Sequence, residues 1–308
     1  MNPSDIFSRP EFPSVSIVIP VYNQRKYIEK TLNSVLGQSY ERLECIVVDD
    51  GSTDGSGDVA RSFGDRVTVI SQKNQGQATA LNKGWSAASG EILGYLSSDD
   101  LIDSNAISLL VKKMSKISGP AVVFSGYRLI DSSDQVIKEV EIPFGGYEHM
   151  LRTFICPIGP GALFDRGLFD RSGGWDITLR QLPDFEFWLR VGQYAEFAKI
   201  ADSLSSFRVH AGSQTFAISD FKKAEESIAV AKYLLASNTI PSKLAAQFTA
   251  SAYCFSACLH LRSGRFFWGV KRFFSGVKAD VATSLSPSTM RRLVGASISR
   301  IRYRNSAN

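Results

Sequence analysis

Residues 14–52 read SVSIVIPVYNQRKYIEKTLNSVLGQSYERLECIVVDDGS, and the change of period inside this stretch decides the fold. SVSIVIP is a near-continuous β-branched run, which predicts a strand buried on both faces. From Lys26 to Leu36 the apolar residues Tyr27, Ile28, Leu32, Val35 and Leu36 fall at helical spacing. LECIVVDD then returns to a strand, and Ser52 and Thr53 stand where they would cap a following helix. Further along, VTVIS and EILGYLSS predict a third and a fourth strand, followed by helices over Ala78 to Ala88 and Asn105 to Lys116. AVVFSGYRLI predicts a fifth, continuing into a hairpin with QVIKEVEI across Ser132 to Asp134. Such alternation specifies an α/β fold: a mostly parallel, doubly wound sheet with helices on both faces.

After residue 143 the text turns irregular and rich in Gly, Pro and aromatics, with short strands expected at GALFD and LSSFRV and a helix from Asp184 to Tyr194. From Asp220 onward it reads helical, with breaks at Pro241, Gly264 and Pro287. The chain has 308 residues, 44% hydrophobic and 21% charged, which excludes disordered and fibrous classes. Its net charge of +5 is unevenly spread. Ten Lys/Arg and a single acid, Asp280, follow residue 261, a net +9; the 25 bases and 29 acids before it give −4. Four cysteines (Cys45, Cys156, Cys254, Cys258) show no paired metal spacing and make no disulfide framework, which points to a reducing compartment. No apolar signal segment opens the sequence, and Leu244 to Leu261, broken by polar residues, reads as a buried or interfacial helix.

Ligands of open parallel sheets bind beyond the carboxyl ends of the strands. There this chain places Pro20-Val21-Tyr22-Asn23, Asp49-Asp50-Gly51-Ser52 and Ser97-Ser98-Asp99-Asp100. Two adjacent carboxylates repel each other unless a cation is present, so Asp99 and Asp100 suit a hard divalent ion, Mg²⁺ or Mn²⁺, shared with phosphates. They also read as a capping pair for the next helix. Asp50 reads either as part of an ordinary turn or as an acceptor for a nucleobase N–H, with the Tyr22 ring lying against the base.

These residues resemble the family 2 glycosyltransferases. The text that carries the resemblance is SIVIPVYNQRKYIEKTLNSVLGQSYERLECIVVDDGSTDGS, then NQGQATALNKGWSAASGEILGYLSSDD, then GGWDITLRQLPDFEFWLR, together covering roughly residues 14–215. The resemblance implies a GT-A fold, a nucleotide-sugar donor with UDP favoured, a divalent metal (Mn or Mg) and transfer to a hydroxyl acceptor with inversion, in bacterial cell-surface polysaccharide or glycolipid synthesis. It implies that Pro20, Tyr22, Asp50, Gln77 and Asp99 bind the nucleotide, with a turn at Pro20 shaping the base pocket. Asp99, Asp100 and His210 would hold the metal, Trp175 and Arg208 would serve the acceptor and phosphates, and Asp184 would be the general base. Asp184 also reads as a helix N-cap, Trp175 as a core residue and His210 as a structural histidine. Many members carry an acid where this chain has Ser97, and another where it has Pro183; Glu186 lies two positions beyond Asp184 and points away from it on a helix.

The implied organisation is a lead over 1–13, a nucleotide-sugar half over 14–126, an acceptor and catalytic half over 127–215, and a helical C-terminal extension over 216–308. Two rivals on a similar sheet are a silent nucleotide-sugar-binding protein and a nucleotidyltransferase, although the latter leads one to expect a basic Gly-rich loop after the first strand. Residues 262–304 interleave cations with aromatics (RSGRFFWGVKRFF, MRRLVGASISRIRYR), which suits peripheral contact with anionic lipid beside a lipid-linked or saccharide acceptor. The same residues could pack on the body or on a second subunit of a homo-oligomer. No nucleic-acid motif accompanies the charge. The expected location is cytoplasmic, peripheral on the inner face of the plasma membrane.

Overall fold

The computed structural model describes residues 10–141, 143–210, 212–213 and 219–305, with side chains to residue 296. The lead expected at 1–13 falls largely outside these residues, as do the 215/216 boundary and the basic side chains beyond 296. In chain order the elements are β1 (Val15–Val21), α1 (Arg25–Leu36), β2 (Leu43–Asp49), α2 (Ser56–Arg61), β3 (Thr68–Ser71), α3 (Gln77–Ala87), β4 (Ile92–Tyr95), β5 (Leu101–Ile102), α4 (Ala106–Met114), β6 (Ala121–Ile130) and β7 (Val136–Val140). Then come α5 (Tyr147–Thr153), β8 (Leu163–Asp165), α6 (Arg166–Ser172), α7 (Pro183–Val191), β9 (Glu196–Arg208), α8 (Phe221–Ala236), α9 (Ala245–Arg262), α10 (Phe266–Ala279), α11 (Val281–Ser284) and α12 (Pro287–Asn305).

The chain forms two compact units that interleave in sequence: one of residues 1–143, 157–177 and 194–213, the other of 144–156, 178–193 and 214–308. Every described strand belongs to the first. Its sheet runs β3-β2-β1-β4-β8-β6-β9-β5, with β7 paired to β6. β1, β2, β3 and β4 pair in parallel, as the alternating text requires. Beyond β4 the sheet is mixed: β8 is antiparallel to both β4 and β6, β5 to β9 and β7 to β6, while β6 and β9 are parallel.

Odd-numbered strand residues Ile17, Ile19 and Val47 join α1 (Ile28, Leu32, Val35), α2 (Ala60) and α4 (Ile107, Leu110, Met114) in one core. On the other face lies α3, where a Cβ on Gly84 would stand 2.3 Å from Val18 and 3.1 Å from Val48. That approach of helix to sheet needs a residue without a side chain. Beside it Trp85 is fully buried and meets Phe164 and Tyr95 edge to face.

The expected cap of α2 is corrected: Gly55 occupies the N-cap, and Asp54 Oδ1 accepts the Ser56 amide. Ser52 is engaged elsewhere, its Oγ accepting from the Asn23 amide. The second unit is helical throughout its described residues. Asp220 caps α8 by accepting the Lys223 amide, Gly264 (φ +79°) follows α9, and α12 begins at Pro287. Among the described residues no helix is long and apolar enough to cross a membrane.

Candidate active site

The parallel strands of the first unit deliver four polar loops to one edge of the sheet. Pro20 does not form the turn expected of it. It lies inside β1, opposite Val48 of β2. Backbone direction explains how a central strand tolerates it: the Val18 carbonyl faces β4 and accepts from the Leu96 amide, while the Val21 carbonyl faces β2 and accepts from the Asp50 amide. Pro20 therefore faces the β4 side, where the β1–β4 ladder ends at Val18–Tyr95 and no amide is needed.

Just past the strand, Asn23 adopts φ 52° and its side chain accepts from the Thr53 amide, while Gln24 and Arg25 amides donate to Ser56 and Asp54. These bonds stitch the first loop to the second and leave Tyr22 47% exposed. An exposed ring on an immobilised loop is a fit platform for a planar base. Asp50 is 3% exposed and already holds the third loop: Oδ1 accepts from Gln72 Nε2 and the Gln75 amide, Oδ2 from the Gly76 amide, each at 2.8 Å. Of its four lone-pair positions, three are filled and one stays open to an N–H donor. Gln77, half-buried, is the first residue of α3, directly after that loop.

Asp99 and Asp100 part company. Asp100 is 2% exposed, and its Oδ1 accepts the Arg208 amide at 2.8 Å. Burial, reinforced by the charge on Asp99 and opposed by Arg208, pushes its carboxyl well above the usual carboxylate range. Its Oδ1 is thus taken up by the Arg208 backbone. Asp99, by contrast, meets His210, with Oδ2 2.9 Å from Nε2. His210 Nδ1 accepts the Gly212 amide, so Nε2 carries the ring proton and donates it to Asp99.

Arg208 is also corrected. Its side chain is fully buried: Nε donates to the Asp99 carbonyl (2.7 Å), Nη1 to the Asp131 carbonyl (2.9 Å), and the guanidinium pairs with Asp134. Nη2 is buried without a partner, and the other bonds of the group fix the backbone that carries Asp99. Tyr27 lies between the two, its ring 4.8 Å from the Arg208 guanidinium carbon and 4.9 Å from the centre of the His210 ring. Trp175 likewise is no open platform. It is 4% exposed, clamped by Asn82 through its backbone amide and carbonyl and packed edge to face on Tyr95 and Trp85.

The structure tests whether a divalent cation suits the remaining pair. Asp99 Oδ2 and His210 Nε2, 2.9 Å apart, are close enough to share one cation. A carboxylate and an imidazole suit Mn²⁺ once the ring proton has moved from Nε2 to Nδ1, which releases the Gly212 amide. Among the described residues no group of three His, Cys, Asp or Glu side chains that could hold a metal ion is gathered.

In the second unit, Asp184 is the second residue of α7, half-buried. Burial raises its carboxyl above the usual 3.8, against the amides of Phe185 and Asp184 itself. Glu186 is engaged by Arg190 at 2.7 and 3.0 Å and 2% exposed, which removes it as a rival base. Sequence reasoning missed Glu226 on α8. Its carboxylate accepts the amides of Arg180, Gln181 and Leu182 (2.8, 2.6 and 3.1 Å), fixing the turn that leads into Asp184. Nothing in the text around Glu226 signals this, since its partners lie some 45 residues earlier.

A sequence profile described as Glycosyl transferase family 2 matches residues 16–172. Curated relatives include an uncharacterized glycosyltransferase of Rickettsia prowazekii, 30% identical over 210 residues, which are 66% of this chain and 66% of that protein. Another is glycosyltransferase GlyG of Streptococcus pneumoniae, 39% identical over 124 residues, 39% of this chain and 41% of its own. The chain thus spans about two thirds or less of the curated relatives it matches. Among solved structures, S. aureus TarS 1–349 in complex with UDP-GlcNAc superposes with a TM-score of 0.68 at 16% identity, covering 95% of this chain and 92% of that one. A mannosyltransferase from Pyrobaculum calidifontis, in complex with GDP-Man and Mn²⁺, gives 0.55 at 20% identity, covering 96% and 90%. At such identities the likeness establishes the GT-A architecture.

Proposed function

The chain belongs to glycosyl transferase family 2, and from that premise we propose that it moves a sugar from a nucleotide-diphosphate sugar to a hydroxyl acceptor with inversion. UDP is the favoured nucleotide, and the acceptor is a saccharide or a lipid-linked saccharide of a bacterial surface polysaccharide or glycolipid. The observation that carries this reading is the Asp99–His210 pair beyond the parallel strands that also end in Tyr22 and Asp50.

In this reading Tyr22 stacks on the base and the open lone pair of Asp50 accepts its N–H. Gln77, at the start of α3, contacts the nucleotide. Asp99 and His210 would hold Mn²⁺ or Mg²⁺, which when bound would offset charge on the departing diphosphate. Asp184 takes the proton of the acceptor hydroxyl while its oxygen bonds to the anomeric carbon. The bond from that carbon to the diphosphate oxygen breaks on the opposite face, and the electron pair leaves with the diphosphate. Burial around Asp184 makes its carboxylate a stronger base than an exposed one, which suits this task.

Incubation with a panel of nucleotide sugars and Mn²⁺ tests the reading. Release of nucleoside diphosphate, abolished by Asp184→Asn, is the expected result. Pyrophosphate chemistry would instead indicate a nucleotidyltransferase, and binding without turnover a silent protein; Pro183, in place of an acid, motivates including the latter.

A further inference from the structure

The helix α10 turns two unlike faces to its surroundings. Its inner face is built for close approach: a Cβ on Gly269 would stand 2.7 Å from the Leu261 side chain, and one on Gly276 3.0 Å from Cys254 Sγ and 3.1 Å from the Ala250 carbonyl. Arg272, on that side, donates to both oxygens of Glu225 on α8, and Glu225 also bonds His260 of α9 at 2.8 Å. The helix is therefore anchored to α8 and α9, with its rotation about its own axis fixed.

The opposite face carries Phe267, Val270 and Phe274, which are 72%, 51% and 57% exposed, and Phe266 at 52%. At 100° per residue these four fall within about a third of a turn, with Lys271 and Lys278 exposed along one edge of the stripe. Soluble surfaces seldom leave three large apolar side chains side by side without a use. Farther on, Val281, Leu285 and Val294 are more than half exposed as well.

We propose that the outward face of α10 lies in the headgroup region of an anionic lipid surface, with Phe267, Val270 and Phe274 inserted and Lys271 and Lys278 on lipid phosphates. Charge selects this occupant. α10 carries no acid, and Lys271 and Lys278 border the stripe exposed, so a second copy brought up on the same face would set like charges together. A helix of 14 residues is too short to span the bilayer and long enough to lie along it. The inference uses no feature of the sugar-transfer site, and its test needs no donor or acceptor.

The test is flotation of the full chain with vesicles of phosphatidylcholine alone and of equal parts phosphatidylcholine and phosphatidylglycerol. The chain is expected to float with the mixed vesicles only, less so as salt rises. Lys271→Gln/Lys278→Gln and Phe267→Ser/Phe274→Ser are each expected to lower bound protein by at least about tenfold. Both pairs change exposed side chains, so melting temperature should stay at the wild-type value; the single Phe267→Ser provides a milder check. A wild-type chain that stays at the bottom, or floats regardless of lipid charge and of both substitutions, overturns the proposal. So does a dimer in sedimentation equilibrium that the Phe pair dissolves without any flotation.

Discussion

Replacing Glu226 by Gln changes one atom at the point where α8 holds the approach to Asp184. The wild-type carboxylate, 5% exposed, accepts three backbone amides. In the variant the amide oxygen can keep the Gln181 and Leu182 donors, but at neutral rather than charge-assisted strength, a loss of about 1 kcal/mol each. The new NH₂ then faces the Arg180 N–H, donor against donor. Arg180 is exposed and its amide can turn to water, which puts this third cost at about 1 kcal/mol, the lower end of its range. The sum, about 3 kcal/mol, corresponds to a fall of roughly 6–12 °C in melting temperature. Asp184 lies two residues beyond Leu182, so a slackened turn displaces the base. A shift of about 1 Å there is expected to lower turnover on the order of a hundredfold. Nucleotide affinity, read by calorimetry with UDP and Mn²⁺, should not move, because Tyr22, Asp50 and Asp99 belong to the other unit. Scanning calorimetry and steady-state kinetics decide the matter. A Glu226→Gln protein that melts within about 2 °C of wild type and turns over normally would refute the reasoning.

Asp184→Asn should leave nucleotide binding intact while turnover drops by orders of magnitude, and near-normal turnover would remove Asp184 as base. Because the folded carboxyl binds its proton more tightly than the unfolded one, stability falls as pH rises from the usual 3.8 through the raised value. Asp184→Asn should therefore melt above wild type at neutral pH, the gap closing below that window, and wild-type kcat/KM should rise as the carboxyl deprotonates. Tyr22→Ala should weaken nucleotide affinity by roughly tenfold through lost stacking while leaving the melting temperature within a degree or so, since the ring is exposed. Gly84→Ala, stabilising by helix propensity alone, should instead cost about 1–3 kcal/mol as its methyl meets Val18, and a rise in melting temperature would contradict the packing of α3 on β1. His210→Gln should lower Mn²⁺ affinity measured by calorimetry in the presence of UDP; unchanged affinity would exclude the pair.

The parallel half of the sheet was legible because its strands and helices are signalled by local period, as in SVSIVIP and the helix after it. The two-residue β5 carries no period at all, and its pairing with β9 depends on residues a hundred positions later. Strand ends pointed to Tyr22, Asp50 and Asp99, since topology alone brings those loops to one edge. What the text could not convey was orientation within the loops. Asp100 turns inward because the Arg208 amide awaits it, and Arg208 is buried because two carbonyls and Asp134 surround its guanidinium. Tyr27 read only as one apolar position of α1, yet its ring separates Arg208 from His210. Trp175 was balanced between platform and core; its packing on Trp85 and Tyr95, invisible from spacing, settles it as core.

The place of β8 bears on how the chain comes off the ribosome. Among the described residues, three, Leu163–Asp165, bridge β4 and the β6–β9 half of the sheet. Until they emerge, β4 and β6 each present an open, apolar edge to the crowded interior of the cell, and α5, which belongs to the other unit, is synthesised during that wait. Such edges invite pairing with neighbouring nascent chains. Chaperone capture of the stretch between β6 and β8 would cover those edges until the bridge is made.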